Sequence, residues 1–332
     1  GKSYFVNQQL PHMEGYKVLL SAKTPVACHG LRGGEVLTLA RLYRKYVQQG
    51  SLEPNTLLVV DELSLCTTWD YSQVILPMAK LGATLWLLGD CRNQLLSIGD
   101  TWHSVDLTRD LTGTVMLRSA VGCKTLTLTE GRRADPQLFA WISAVSSNLT
   151  MALWAARRDF PARGRPSATN VCLTHRTRMR VIKMAQALRL KREKPREYLT
   201  LECEPPLGQR LHLWPGVPLI ACVQATKDGI HNSMLLEVQS YTGETVTLKD
   251  REGDGVYTLS HDWVRKHTRS GYCYTIASAQ GRTIPGDIGI YDTAHKRFSL
   301  RHLYTCLSRA QKFENLSICL LYTSPSPRDG LL

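Results

Sequence analysis

The stretch TLLVVDELSL, residues 56–65, decides the reading of the chain. Five apolar or β-branched residues run up to two adjacent carboxylates, Asp61 and Glu62. A continuous apolar run of this length, bounded by Pro54-Asn55 on one side, predicts a strand buried on both faces. Strands of that kind belong to parallel sheets covered by helices, and their C-terminal edge is where an open α/β sheet receives ligands. Two carboxylates at that edge suit a divalent cation and a polarised water. An exposed acidic strand end is the alternative, so the rest of the sequence has to arbitrate.

Working outward, residues 16–22, 82–90 and 124–128 read as further strands, and 35–49 and 70–81 as helices between them. Strand–helix alternation predicts a parallel α/β sheet in the first half. The stretch 157–168, RRDFPARGRPSA, is rich in Arg, Pro and Gly and reads as a linker between domains 1–156 and 169–318. A second alternating unit opens with a strand over 170–175 and a basic helix over about 176–192. Residues 211–265 change texture to short strands broken by Gly and Asp, which predicts a small inserted β barrel. Buried-strand character returns at 287–292 and 316–321.

At 332 residues the chain is long enough for two domains. A hydrophobic content of 43% with 21% charged residues excludes a disordered chain, and no apolar run is long enough to span a bilayer. The ten cysteines form no C-x-x-C pair, which argues for buried, reduced thiols in an intracellular protein rather than a zinc site or a disulfide framework. The net charge of +13 is concentrated: residues 157–196 contain only Asp159 and Glu193 as acids. Concentrated Lys and Arg favour a polyanion, because phosphate contacts release counterions. Arg176, Arg178, Arg180 and Lys183 are candidate phosphate contacts, with a solvated helix face as the alternative for each. Trp214 and Trp263 suit either base stacking or core packing.

The chain begins Gly1-Lys2-Ser3, the last three residues of a G-x-x-x-x-G-K-[ST] phosphate loop. Lys2 is then expected on the β/γ-phosphates of ATP, with Ser3 and Asp61 on Mg²⁺ and Glu62 on the attacking water. The next strand ends GDCRNQL, which puts Asp90 and Gln94 at its mouth. Gln94 suits a sensor of the γ-phosphate. LTLTEGRRAD offers Arg132 and Arg133, and LYTCLSRA offers Arg309, each suited to charge developing in transfer. Gln280-Gly281-Arg282-Thr283 follows a strand-like run, and Gly281 permits close backbone approach to a ligand.

In this order the residues resemble the motifs of superfamily 1B DNA helicases, the RecD/Pif-type 5′-to-3′ branch. GKS resembles motif I, SAKTPVACHGLRGGEVL motif Ia with Thr24 on the DNA backbone, and VVDE motif II. GDCRNQL resembles motif III, LTLTEGRRAD motif IV, YTIASAQGRTI motif V and LYTCLSRA motif VI. Motif V departs from the family pattern at Ala277 and Ser278, where His-Lys is usual. The resemblance implies two RecA-like P-loop domains with parallel sheets and an SH3-like barrel inserted in the second. It implies ATP hydrolysis at a cleft between them, with Arg133 as the favoured motif IV arginine and Arg309 as the motif VI finger. Gly1, Lys2, Ser3, Asp61, Arg132, Gln280 and Gly281 are implied around ATP and Mg²⁺. Thr24, Thr283 and the basic helix are implied on single-stranded or fork DNA, with no membrane partner. The short spacing between motifs Ia and II implies a short or missing strand-splitting pin. A viral-type superfamily 1 RNA helicase and a degenerate nucleic-acid-binding module are the competing readings; replication, repair and recombination roles all fit. Residues 319–329, CLLYTSPSPRD, resemble a translated sequencing adapter, so coding sequence is expected to end near Ile318 and the phosphate loop to be truncated before Gly1.

Overall fold

The computed structural model describes residues 2–28, 30–202, 209–225 and 229–320, the side chain of Ser3 excepted. Gly1, Cys203 and the adapter-like residues from 321 onward lie outside the described residues. The chain forms two units, residues 1–135 and 136–332.

In the first unit, α1 (Lys2–Gln9) leads to β1 (Lys17–Ala22), the short α2 (Pro25–Cys28) and β2 (Glu35–Thr38). Helix α3 (Leu39–Leu42) continues as a π-turn through Val47, followed by β3 (Thr56–Asp61). Then come α4 (Thr68–Asp70), a second π-turn, α5 (Leu76–Lys80), β4 (Thr84–Leu87), a hairpin of β5 (Thr101–Trp102) and β6 (Val105–Asp106), and α6 (Val115–Ala120). The sheet is parallel throughout, in the order β2-β1-β3-β4. Strand β3 is buried at every residue, as its sequence predicts. Helix α4 starts where Thr67 and Asp70 form a reciprocal capping box.

Two expectations fail in this unit. Residues 35–38 form a strand parallel to β1, not the start of a helix. The helical pattern there begins at Leu39, which turns inward with Leu42, while Glu-Val-Leu-Thr pairs with its neighbour. Residues 124–128 form no strand, and Leu126 and Leu128 stay exposed. Strand propensity is realised by packing against neighbours, and this run has none.

In the second unit, α7 (Pro136–Ala144) and α8 (Leu149–Asp159) precede β7 (Thr169–Cys172) and the long α9 (His175–Glu193). The sequence assigned α7 and most of α8 to the first domain. Both belong to the second unit, where Ile318 N–H donates to Phe160 O and Trp141 Nε1–H to Asp159. A two-stranded pair, β8 (Leu199–Leu201) and β9 (Leu211–Leu213), leads into β10 (Pro218–Ala221), β11 (Leu235–Tyr241), β12 (Thr245–Asp250) and β13 (Val256–Ser260). Helix α10 (His261–His267) returns the chain to β14 (Thr268–Ser270). These last five strands form an antiparallel sheet ordered β13-β12-β11-β10-β14. The chain then resumes with β15 (Cys273–Thr275), α11 (Ile276–Ala279), β16 (Ile288–Ile290), α12 (Leu300–Leu307) and β17 (Leu316–Ile318). Strands β15-β7-β16-β17 make a second parallel sheet. The inserted sheet and α9 share one core, in which Val181, Ile182 and Ala185 pack with Trp214, Leu219, Leu236 and Leu248. The nine described cysteines are all free, and only Cys123 and Cys222 among them are exposed.

Candidate functional site

Asp61 closes β3, and Glu62 leaves it in a left-handed conformation at φ 51°, ψ 49°. A non-glycine residue there is strained by about 1–2 kcal/mol, and such strain clusters at functional sites. The Glu62 N–H donates to Asp61 Oδ1 at 2.7 Å, which fixes the Asp61 carboxylate against the turn that carries Glu62. Each is only 5% exposed. The following turn is sealed by Leu63 N–H on Leu88 O and Leu88 N–H on Val60 O. Gly89 makes this possible: a Cβ there would stand 2.8 Å from Leu63 Cβ. The loop after β4 thus lies directly against the Asp61–Glu62 corner. Within it, Asp90 accepts from the amide and side chain of Asn93, and Gln94 N–H donates to Asp90 O; Gln94 is buried.

Strand β1 puts Ala22 opposite Asp61, so Lys23 and Thr24 follow at the same sheet edge. Lys23 Nζ donates to both oxygens of the buried Asp70, at 2.8 and 2.6 Å, and Thr24 Oγ1 accepts from Ala27 N–H. Lys2 is half-buried and opens α1. Arg132 lies over the ring of Tyr4 on α1, 5.4 Å from its centre, and pairs with Glu130. Sequence favoured Arg133 as the functional arginine of this pair. Both are exposed, and Arg132 reaches the start of α1 through Tyr4.

In the second unit Arg309 is completely buried. Its Nε–H donates to Thr305 O, its Nη1–H to Arg282 O and its Nη2–H to Ser308 Oγ, at 3.1, 3.1 and 2.9 Å. Gln280 is buried, Gly281 adopts φ 83°, and Thr283 is exposed. Arg282, which sequence reasoning passed over, is 3% exposed. Its guanidinium reaches Ser233 O and Ser278 O, stands 3.6 Å from Glu252 and lies over Tyr274. Asp292 was also missed. It accepts from Leu173 and Thr174 N–H and from the Thr174 and Thr177 hydroxyls, fixing the start of α9 to the end of β16. It ends the run DIGIYD as Asp61 ends TLLVVD, a parallel visible in the sequence.

On α9, Thr177, Val181, Ile182 and Ala185 face inward. Arg176, Arg180 and Lys183 are exposed at i, i+4 and i+7, one continuous basic stripe, while Arg178 is half-buried. Beside the start of α9, Leu173, Thr174, His295, Lys296, Arg297 and His302 line an open pocket of about 490 Å³. Trp214 is buried and donates to Glu193 at 2.6 Å, so core packing accounts for it. Trp263 packs at the core margin against His267.

Residues 1–133 match the AAA domain family. The fold across both units is similar to that of Pif1 helicases. A Bacteroides Pif1 bound to single-stranded DNA superposes with a TM-score of 0.61 at 15% identity, over 98% of this chain and 88% of that one. A structure of two coordinating Pif1 helicases on forked duplex DNA gives the same values. Pif1 from Candida albicans gives 0.59 at 16% identity, over 96% and 86%. Comparison with curated proteins yields no match. No helix among the described residues is long and apolar enough to cross a membrane.

Proposed function

We propose that the protein is an ATP-driven motor that moves along single-stranded DNA, 5′ to 3′, and separates duplex at a fork. The observation that carries this reading is the strained Asp61–Glu62 corner at the C-terminal edge of a parallel sheet, within the region that matches the AAA domain family. The fold shared with Pif1 helicases supports it.

In this reading Gly1 and Lys2 hold the phosphates of ATP. Ser3 and Asp61 hold Mg²⁺, whose role when bound is to neutralise charge on the β- and γ-phosphates. The donor chemistry fits: Mg²⁺ takes one or two protein oxygens besides phosphate and water, and the Asp61 carboxylate at the sheet edge is such a donor. Glu62 polarises the attacking water, and Gln94 reports the γ-phosphate. Arg132 or Arg133, together with Arg309, stabilises charge in the transition state, and Gln280 and Gly281 flank the nucleotide. Arg309 exchanges its neutral acceptors for the γ-phosphate when the units close. Thr24, Thr283 and the α9 stripe hold the strand, with the five-stranded insertion as an SH3-like grip. Alternating closure with unequal grip gives direction.

The test is ATP hydrolysis by the full-length gene product, with and without oligo(dT). Hydrolysis should rise sharply with the oligonucleotide. Lys2→Ala and Glu62→Gln should each abolish it, while Glu62→Gln keeps nucleotide binding. Hydrolysis that ignores DNA and survives Arg309→Ala refutes the reading. Stimulation by oligo(U) alone moves the protein to RNA, and DNA affinity indifferent to ATP analogues makes it a binding module.

A further inference from the structure

Arg178 on the first turn of α9 and Arg269 on β14 face the same space, from the parallel domain and from the inserted sheet respectively. Gln209 ties these two elements together: its Oε1 accepts from Ser270 N–H at 3.2 Å and its Nε2 contacts Met179 Sδ at 3.1 Å. The Nε of Arg178 and the Nε of Arg269 are both buried and make no hydrogen bond among the described residues, and the same holds for Ser270 Oγ. Burial, then the positive charge of Arg269, push the Arg178 pKa down. His175 is pushed down by burial and then by both arginines. Cys222, exposed at the end of β10, has its thiol pushed up by burial, offset in part by Arg269 and Arg178, so it is close enough to feel both guanidinium groups.

Two guanidinium groups and an imidazole held toward its neutral form therefore converge, and no carboxylate is among the groups that act on Arg178 or His175. Like charges held together in a half-buried site are destabilising unless an anion offsets them. At the start of α9, Asp292 takes the Leu173 and Thr174 amides and the Thr174 hydroxyl takes that of Thr177. A guanidinium pair offers planar, bidentate donors that match phosphate oxygens. The exposed stripe of Arg176, Arg180 and Lys183 runs along the same helix, spanning about 10 Å at 1.5 Å per residue. That extension suits a strand of phosphates rather than one free ion.

We infer that Arg178, Arg269 and His175 form a seat for one phosphodiester of a nucleic-acid strand, at the junction of α9 and β14. The inference rests on the nucleic-acid reading above and adds the inserted sheet's Arg269 as a direct phosphate contact. The α9–inserted-sheet core that both arginines stand on makes the seat preformed.

Two measurements test it, using the full chain. In the unmodified protein, oligo(dT) should slow alkylation of Cys222 several-fold and leave Cys123 unchanged, read by mass spectrometry. Fluorescence anisotropy with labelled oligo(dT) should show Arg269→Gln and Arg178→Gln each weakening binding about five- to tenfold. The double variant should lower the salt slope by about 0.7, the loss of one single-strand phosphate contact, and each single variant by part of that. The double variant should lose less than the product of the two, because both serve one phosphate. Arg269→Lys should keep part of the affinity. Oligo(dT) binding by wild type that is unchanged in both variants, with Cys222 unprotected, overturns the seat alone. Protection of Cys222 by millimolar orthophosphate as complete as that by oligo(dT) assigns the site to free phosphate and overturns it as a strand contact. No oligonucleotide binding by wild type removes the motor reading and the seat together.

Discussion

Replacing Asp292 should cost several kcal/mol of stability, and the cost can be built from its partners. Its Oδ2 accepts from Leu173 N–H, Thr174 N–H and Thr174 Oγ1 at 3.1, 2.9 and 3.1 Å, and its Oδ1 from Thr177 Oγ1 at 2.6 Å. Hydrogen bonds to a charged group are each worth about 1.5–3 kcal/mol, but these share one carboxylate and the two hydroxyls can turn to water. Loss of the set is then worth about 3 kcal/mol. Asp292 also sits at φ 62°, which Asp and Asn tolerate and alanine resists by about 1 kcal/mol. Asp292→Ala should therefore destabilise the second unit by about 4 kcal/mol. For a unit of this size that lowers the melting temperature by about 8–16 °C. Asp292→Asn keeps an acceptor and the backbone tolerance and should lose about half as much. Thermal unfolding followed through Trp214, which packs in the core shared with α9, reads both. If Asp292→Ala melts within 2 °C of wild type, or no lower than Asp292→Asn, the carboxylate does not anchor α9 and this accounting is wrong.

Gly89→Ala should destabilise the first unit by about 1–3 kcal/mol, because the new methyl overlaps Leu63 Cβ at 2.8 Å; a melt unchanged by the substitution means the loop is not pressed against the Asp61–Glu62 turn. His302 Nδ1 accepts from Ser299 N–H at 3.1 Å and burial holds its pKa below the usual 6.5, so it caps α12 in the neutral form. A depressed folded pKa means its contribution is present above about pH 6.5 and lost as pH falls through the folded value. Stability should fall between pH 7 and pH 5, with part of the slope removed by His302→Gln; an identical slope in that variant excludes His302 as a source.

The strands over 17–22 and 56–61 were legible because continuous apolar runs between turn residues leave little choice. The helix read over 70–81 begins two residues earlier, at Thr68, where Thr67 and Asp70 form a capping box that the apolar period does not register. Residues 35–38 were not legible, because the strand and the helix beginning at Leu39 are joined with no breaker, and one period ran into the next. Residues 124–128 carry strand-like composition, but a strand also needs a neighbour, which a local pattern does not encode. At the site, the carboxylates and Gln94 announce themselves at strand ends. Arg282 does not: its importance lies in Ser233 and Glu252, far away in sequence and brought close only by the inserted sheet. The same holds for Arg269, which reads as one more basic residue until β14 is set beside α9.

Arg282 also changes what the insertion can do. Its side chain holds a turn before β11 and the turn after β12, while its carbonyl holds the Arg309 guanidinium. Tension on the antiparallel sheet therefore arrives, two links later, at the buried arginine near the end of the chain. A load felt by the inserted sheet becomes a pull on that guanidinium.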